Sequence, residues 1–279
     1  MSSLPPFMLL GHQRSGTNFA TEVLQRHPAV ECLTEPLSMH TGIFRELDLE
    51  PWDASSYQAN ILHRDLRPFP VALDFLTRLR AFLESGHDGS DRRRCGFKET
   101  TGFAKLDWIR SWLPGLNIIL LVRDPRAVVC SVLSSRLYDL WEYSRTVPPA
   151  AERVLGEVPA SDDPFELVVW SWKIRMRLAE EAMMEGKHHV VRLEDLMEPD
   201  NSAWSDTMGF LGLSLHSEQK KFIRESGRVT KGGTYSAYRT REHVIDRWKT
   251  ELGNARQRYI AEVLEYEMEK WGYGAASSE

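Results

Sequence analysis

An arginine carried inside a glycine-bounded loop is the first feature of this 279-residue chain with chemical consequences. In Gly11-His12-Gln13-Arg14-Ser15-Gly16-Thr17-Asn18, an apolar run precedes the loop and an amphipathic segment (Phe19, Val23, Leu24) follows it. Strand, loop and helix in that order present backbone N–H groups and the positive end of a helix to a phosphate-like anion. The glycine spacing is that of the nucleotide-binding pattern G-x-x-x-x-G-K-S/T. Thr17, however, stands where the lysine belongs, and Asn18 where the Mg²⁺-binding hydroxyl belongs. A site spanning β- and γ-phosphates uses both groups. This loop suits an anion handled without metal, with Arg14 as the cation.

Three more cations follow apolar runs: Lys98 in Cys95-Gly96-Phe97-Lys98-Glu99-Thr100, and Arg123 and Arg126 in Arg123-Asp124-Pro125-Arg126. A fourth polar strand end is Glu194-Asp195. In parallel sheets ligands bind at the carboxyl ends of the strands, so these positions converge on one place. Four cations gathered there, on a chain with a formal charge of −5, are what a polyanionic ligand requires.

The elements that must position them are legible as apolar runs and helical periodicities. Phe7–Leu10, Cys95–Thr100 (running into a polar end), Asn117–Val122 and His188–Leu193 read as four core strands, and Val30–Pro36 as a short strand-like piece that ends at the proline. Helical spacing predicts helices over 17–26, 71–85, 103–112, from Arg126 to about Leu140, and over 165–185, 201–211, 217–225, 243–248 and 255–271. Strands alternating with helices imply a parallel doubly wound sheet in a single α/β domain over 1–279. Two stretches read as loops that shape a substrate pocket: 37–69, and 141–164, whose part from Val147 to Pro164 is proline-rich.

Composition excludes several classes. The acidic balance, with a pI near 6.0, argues against a general nucleic-acid binder. Cys32, Cys95 and Cys130 have no zinc or disulfide spacing and read as buried free thiols. No metal-ligand spacing is present, and His188-His189 reads as structural. Neither a membrane-spanning run nor a secretory signal is seen, so the reading is a cytoplasmic protein.

Two of these stretches resemble a known family. Gln13-Arg14-Ser15-Gly16-Thr17-Asn18 is similar to the P/Q-K/R-S-G-T-x loop of sulfotransferases that use 3′-phosphoadenosine-5′-phosphosulfate (PAPS). Arg123 to Ser131 is similar to their second element, R-D/N-P-x-x-x-x-x-S, and Val191–Leu196 to a further recurrent stretch. The resemblance implies a P-loop nucleotide-hydrolase-like fold and a PAPS donor leaving 3′-phosphoadenosine-5′-phosphate (PAP). It implies that the first loop (Gln13 to Asn18) holds the 5′-phosphosulfate, and that Arg123 and Ser131 hold the 3′-phosphate. The segment 27–36 resembles that of the tyrosylprotein and bacterial carbohydrate branches, which places the base at Glu35, with Glu99 as the competing carboxylate. Lys98 matches a lysine that assists the leaving group, alongside Arg14. The stretch 226–242 resembles a cofactor-covering loop, implying roles for Ser226, Lys231 and, beyond it, Arg247.

His12, His40 and Trp141 are further candidates for substrate contact, and Trp170 or Trp172 for stacking on adenine. Trp52, Tyr57, Phe69, Tyr138, Trp141 and Tyr143 point to a sizeable acceptor, read as a small metabolite or glycoconjugate. Two other readings stay open on sequence alone: an NTP-dependent kinase of P-loop type, and a non-catalytic nucleotide-binding module.

Overall fold

The computed structural model of the chain describes residues 5–36, 70–85, 93–100, 102–135, 140–184, 186–233 and 236–274. Five strands, β1 (Phe7–Gly11), β2 (Val30–Thr34), β3 (Arg94–Glu99), β4 (Asn117–Val122) and β5 (His188–Arg192), form one sheet in the order β2-β3-β1-β4-β5. Every neighbouring pair is parallel. The α/β expectation holds, with one addition: the strand-like piece after α1 is a full edge strand, paired with β3 from Val30↔Arg94 to Thr34↔Lys98. Its apolar signal is weak because it is an edge strand: only Val30 and Cys32 are buried, Glu31 and Leu33 are half-buried and Thr34 is exposed.

Around the sheet lie α1 (Thr17–Gln25), α2 (Pro70–Ser85), α3 (Leu106–Trp112), α4 (Pro125–Leu133), α5 (Leu140–Leu155) and α6 (Pro164–Ala182). After β5 come α7 (Leu193–Leu196), α8 (Ser202–Phe210), α9 (Ser217–Ser226), α10 (Arg241–Ile245), α11 (Arg247–Glu251), α12 (Asn254–Val263) and α13 (Glu265–Lys270). Strand alternation sorts the core into two layers. Phe7, Leu9, Ile119 and Leu121 pack with Val23 and Leu24 of α1, Trp204 of α8 and Phe222 of α9. Met8, Leu10, Ile118 and Leu120 pack with Ile109, Val128, Trp172, Ile260 and Met268 on the other face. Both faces of β1 and β4 are buried, which is why these strands read as unbroken apolar runs.

The segment 141–164 is not the expected loop. It is helical as far as Leu155, with Pro148 and Pro149 inside α5. Each proline removes a backbone donor and costs about 3 kcal/mol in a helix interior. Tyr143, Val147, Ala150 and Ala151, spaced to lie on one helical face, are all buried in the core and outweigh that cost. The non-helical link shrinks to 156–163, while α4 stops at Leu133 rather than near Leu140. The expected helices over 243–248 and 255–271 are each broken in two, at Asp246 and Leu264. The stretch 37–69 lies outside the described residues.

The strand order fixes where a ligand can sit. The chain leaves β1 toward the β2 edge and leaves β4 toward β5, so a crevice opens between the carboxyl ends of β1 and β4. Among the described residues no helix is long and apolar enough to cross a membrane. The three cysteines are buried and free. Burial pushes the Cys32 thiol up to about 12, so it is inert as a nucleophile.

Candidate active site

Between β1 and α1 the backbone enters the left-handed region twice, at Arg14 (φ 68°) and Gly16 (φ 86°). The Ser15 N–H donates to the His12 carbonyl (3.0 Å), closing the turn. No side chain caps α1, so the first-turn N–H groups open onto the crevice, where an anion can accept from them. Gly16 is required here: a Cβ would sit 2.6 Å from Cδ1 of Leu193, at a φ that L side chains rarely adopt. Gly16→Ala is therefore expected to cost roughly 2–4 kcal/mol from left-handed strain plus overpacking. Urea denaturation measures this; a loss below about half a kcal/mol would mean that the turn relaxes freely.

At the β4 end the loop is stitched to the second motif. Arg14 Nε donates to Ser131 Oγ (3.0 Å), and Arg123 Nη1 donates to the Arg14 carbonyl (2.5 Å). Arg123 Nη2 donates to the Val244 carbonyl, and Arg247 Nη2 to Ser134 Oγ (2.8 Å). Arg123 is buried, and desolvation lowers its guanidinium to about 10; Arg14 and Arg247 push the same way while Glu194 opposes them. Positive charge packed this closely away from water is relieved by a bound anion.

The opposite end lies on β2 and β3. Lys98 Nζ donates to Glu35 Oε1 (2.5 Å) and to Asn18 Oδ1 (2.9 Å), and the Glu35 N–H donates to the Lys98 carbonyl (2.8 Å). Thr100 Oγ1 reaches the same Glu35 oxygen at 3.4 Å. The Lys98 side chain is 2% exposed and that of Glu35 21%, so the carboxylate is the member of the pair that meets solvent. Glu35 holds a left-handed φ of 46°, a strained backbone of the kind concentrated at functional sites. A cleft of about 720 Å³ joins the two ends.

The cleft is lined by Gln13, Arg14, Gly16, Thr17 and Asn18, by Glu35 and Lys98, and by Arg123, Ser131 and Arg247. Other expected residues lie elsewhere. His12 is wholly buried beneath the loop, its Nε2 2.7 Å from Nη1 of Arg175, and burial plus that guanidinium push it well below the usual imidazole range. It does not face a substrate. Glu99 is 1% exposed and follows Lys98 on β3, so alternation turns it to the other face of the sheet, away from the cleft. Arg126 is held by Asp124 (2.7 Å) and lies over the Trp248 ring. Ser15 is buried and absent from the lining, its N–H taken by the His12 carbonyl. Ser226 ends α9 with its hydroxyl on the Ile223 carbonyl, and the Lys231 side chain is not part of the lining; Gly232 and Gly233 are. Trp170, Trp172 and Tyr143 are core residues. His40 and Tyr138 lie outside the described residues, as does the side chain of Trp141.

Several lining residues went unrecognised in the sequence: Ser134, Ser135, Arg239 and His243. Arg239 clips the covering loop by donating to the carbonyls of Lys231 (2.8 Å) and Gly233 (2.6 Å). A basic residue at every fourth position, Arg239, His243 and Arg247, was the available signal.

A parallel sheet with an uncapped helix N-terminus and clustered cations at its switch point defines an α/β protein whose crevice is lined by positive charge. The chain belongs to the sulfotransferase family, whose model matches residues 5–217. Over 262 residues it is 28% identical to nodulation protein NoeE of Sinorhizobium fredii, covering 88% of this chain and 60% of that protein. Over 167 residues it is 27% identical to carbohydrate sulfotransferase 3 of Tetronarce californica, covering 57% of this chain and 36% of that one. The chain thus spans less than two thirds of the length of these relatives. Among solved structures, the sulfotransferase domain from the curacin biosynthetic pathway superposes with a TM-score of 0.57 at 18% identity, over 95% of this chain and 99% of that one. A mouse sulfotransferase complexed with PAP gives 0.55 at 14%, over 96% and 86%. At such identities the likeness is one of fold, here the P-loop-like fold.

Proposed function

We propose that the cleft binds PAPS and passes its sulfuryl group to an acceptor hydroxyl of a small metabolite or glycoconjugate, with Glu35 as the base and no metal ion. The observation that carries this reading is that a carboxylate–lysine pair opens onto the same cleft as the cation-lined loop. When bound, PAPS supplies an activated sulfate whose loose, in-line transfer builds negative charge on the oxygen bridging to the 5′-phosphate. Arg14, Lys98 and the first N–H groups of α1 answer that charge from fixed positions. Lys98 is oriented by Asn18 and Glu35, so its ammonium does not have to be gathered from solvent. Glu35, the exposed partner, accepts the acceptor's proton. Arg123, Ser131 and Arg247 hold the 3′-phosphate at the far end. Asn18 puts no hydroxyl in the position of the Mg²⁺ ligand and Thr17 no lysine before it, and the arginines supply the positive charge instead. A carbohydrate-type acceptor is supported by the names of the relatives and by the polar surroundings of Glu35.

The test is incubation with ³⁵S-labelled PAPS and a metabolite extract, with the labelled product identified. Transfer of label to an alcohol without added divalent metal is expected. Failure of PAP to bind in calorimetry, or Mg²⁺-dependent turnover of ATP in its place, would end this reading.

His243 makes the proposal pH-dependent. Partial desolvation at the cleft wall lowers its pKa although the ring is exposed, and Arg247 and Arg239 lower it further, so the neutral form predominates near pH 7. A phosphate nearby would raise it again, so binding takes up a proton, and PAP affinity gains as pH falls through the bound-state pKa and levels off only below the free protein's value, which lies under the ordinary imidazole value of about 6.5. Titrations of the wild type and His243→Asn at about pH 8, 7 and 6 isolate this contribution from the ligand's own ionisation. Identical profiles for the two proteins would remove His243 from the site.

A further inference from the structure

We infer that Tyr273 is a positioning residue for the 3′-phosphate end of the cleft: its hydroxyl holds the Glu194 carboxylate away from Arg123, leaving that guanidinium for the ligand. The inference rests on the PAP reading above.

Arg123 lies near two acidic side chains, and each is engaged elsewhere. The Asp124 carboxylate takes Arg126 through Nε and Nη2 and the Arg126 backbone N–H. Glu194, at the start of α7, accepts the Asp124 N–H at Oε1 (3.0 Å) and the Tyr273 hydroxyl at Oε2 (2.8 Å). Both of its oxygens are thus occupied by neutral donors. Among the described residues Arg123 has no ion pair within 4 Å, and its Nη1 and Nη2 rest on main-chain carbonyls. Glu194 still supports the arginine's charge at longer range. Glu194 bonds the main chain of Asp124, next to Arg123, so a carboxylate oxygen released from its neutral donor has a guanidinium within reach as its stronger, charge-assisted partner.

Tyr273 is well held for that task. It is 6% exposed, its ring faces the Arg192 guanidinium at 5.6 Å, and Arg192 Nη1 donates to the neighbouring Gly272 carbonyl (2.8 Å). Arg192 is itself fixed by Asp195 (2.7 Å). Burial and the adjacent Glu194 raise the phenol well above its usual pKa, so it keeps the proton that it donates. A residue far along the chain thereby sets the state of an arginine beside the first motif.

The experiment is calorimetric titration of the full chain with PAP and with adenosine 5′-monophosphate (AMP), which lacks the 3′-phosphate. Tyr273→Phe keeps the ring and removes only the donor; the freed carboxylate oxygen then captures Arg123. The expected result is a Kd for PAP raised about tenfold, on the scale of one charge-assisted hydrogen bond, with AMP unchanged within about twofold. Glu194→Gln cannot form the ion pair, so Tyr273→Phe on that background should leave the PAP-to-AMP ratio near that of Glu194→Gln alone. A merely structural tyrosine would weaken both ligands, and the Glu194→Gln background would not rescue it. Unchanged PAP affinity in Tyr273→Phe, equal losses for PAP and AMP, or no rescue would each overturn the inference while leaving the PAP reading intact. Absence of PAP binding in the wild type would instead strike the reading itself.

Discussion

Replacing Glu35 with glutamine is expected to lower kcat by about 10²–10⁴ while PAP affinity changes by no more than about twofold, the range for loss of a positioned general base. The amide side chain fills the same volume as the carboxylate and can still accept from Lys98, so the cleft keeps its shape and the lysine its orientation. What disappears is the site for the acceptor's proton. Glu99 faces the opposite layer and is 1% exposed, so Glu99→Gln should leave the pH dependence of kcat unmoved. Steady-state rates with saturating PAPS, paired with PAP titrations, separate chemistry from binding. An intact kcat in Glu35→Gln would discard the carboxylate base and with it the role given to the Glu35–Lys98 pair.

The parts of this site that the sequence made legible are those carried by backbone spacing. Gly16 closes the loop because the chain must turn left-handed beside Leu193, and Gly11 opens it because a Cβ there would sit 2.8 Å from Cγ2 of Thr17 and 2.9 Å from the Leu121 carbonyl. Arg123 follows an apolar run because β4 is buried on both faces. Side-chain direction was far less legible. His12 lies inside the motif yet points into the core toward Arg175, and nothing in local spacing distinguishes it from Gln13. Lys98 and Glu99 are adjacent, so choosing between them needs the parity of β3, which pairing with β1 at Leu9↔Lys98 fixes. The α5 helix was hidden because two consecutive prolines overrule local propensity, and only tertiary burial of Val147, Ala150 and Ala151 reverses that. Arg239 carried only the four-residue spacing with His243 and Arg247 as a signal, and its bonds to the loop carbonyls that bring it to the cleft have no sequence pattern of their own.

Arg123→Ala should raise the Kd for PAP by about 10²-fold, the upper range for a hydrogen-bonded charged group, with a much smaller loss for AMP. The smaller loss is not zero, because Arg123 also holds the Arg14 carbonyl and so steadies the loop expected to grip the 5′ end. Its contact with the Val244 carbonyl ties down the covering segment that carries His243 and Arg247. Lysine cannot replace this fork: one ammonium on a flexible stem cannot span two carbonyls and a phosphate together, so Arg123→Lys should recover little. Equal losses for PAP and AMP would mean that the arginine acts on the loop alone and that the 3′-phosphate lies elsewhere. The same variant also tests the clasp at the C-terminal end. With no guanidinium for Glu194 to capture, Tyr273→Phe on the Arg123→Ala background should have no further effect on the PAP-to-AMP ratio, and an undiminished effect there would show that the tyrosine works through some other group.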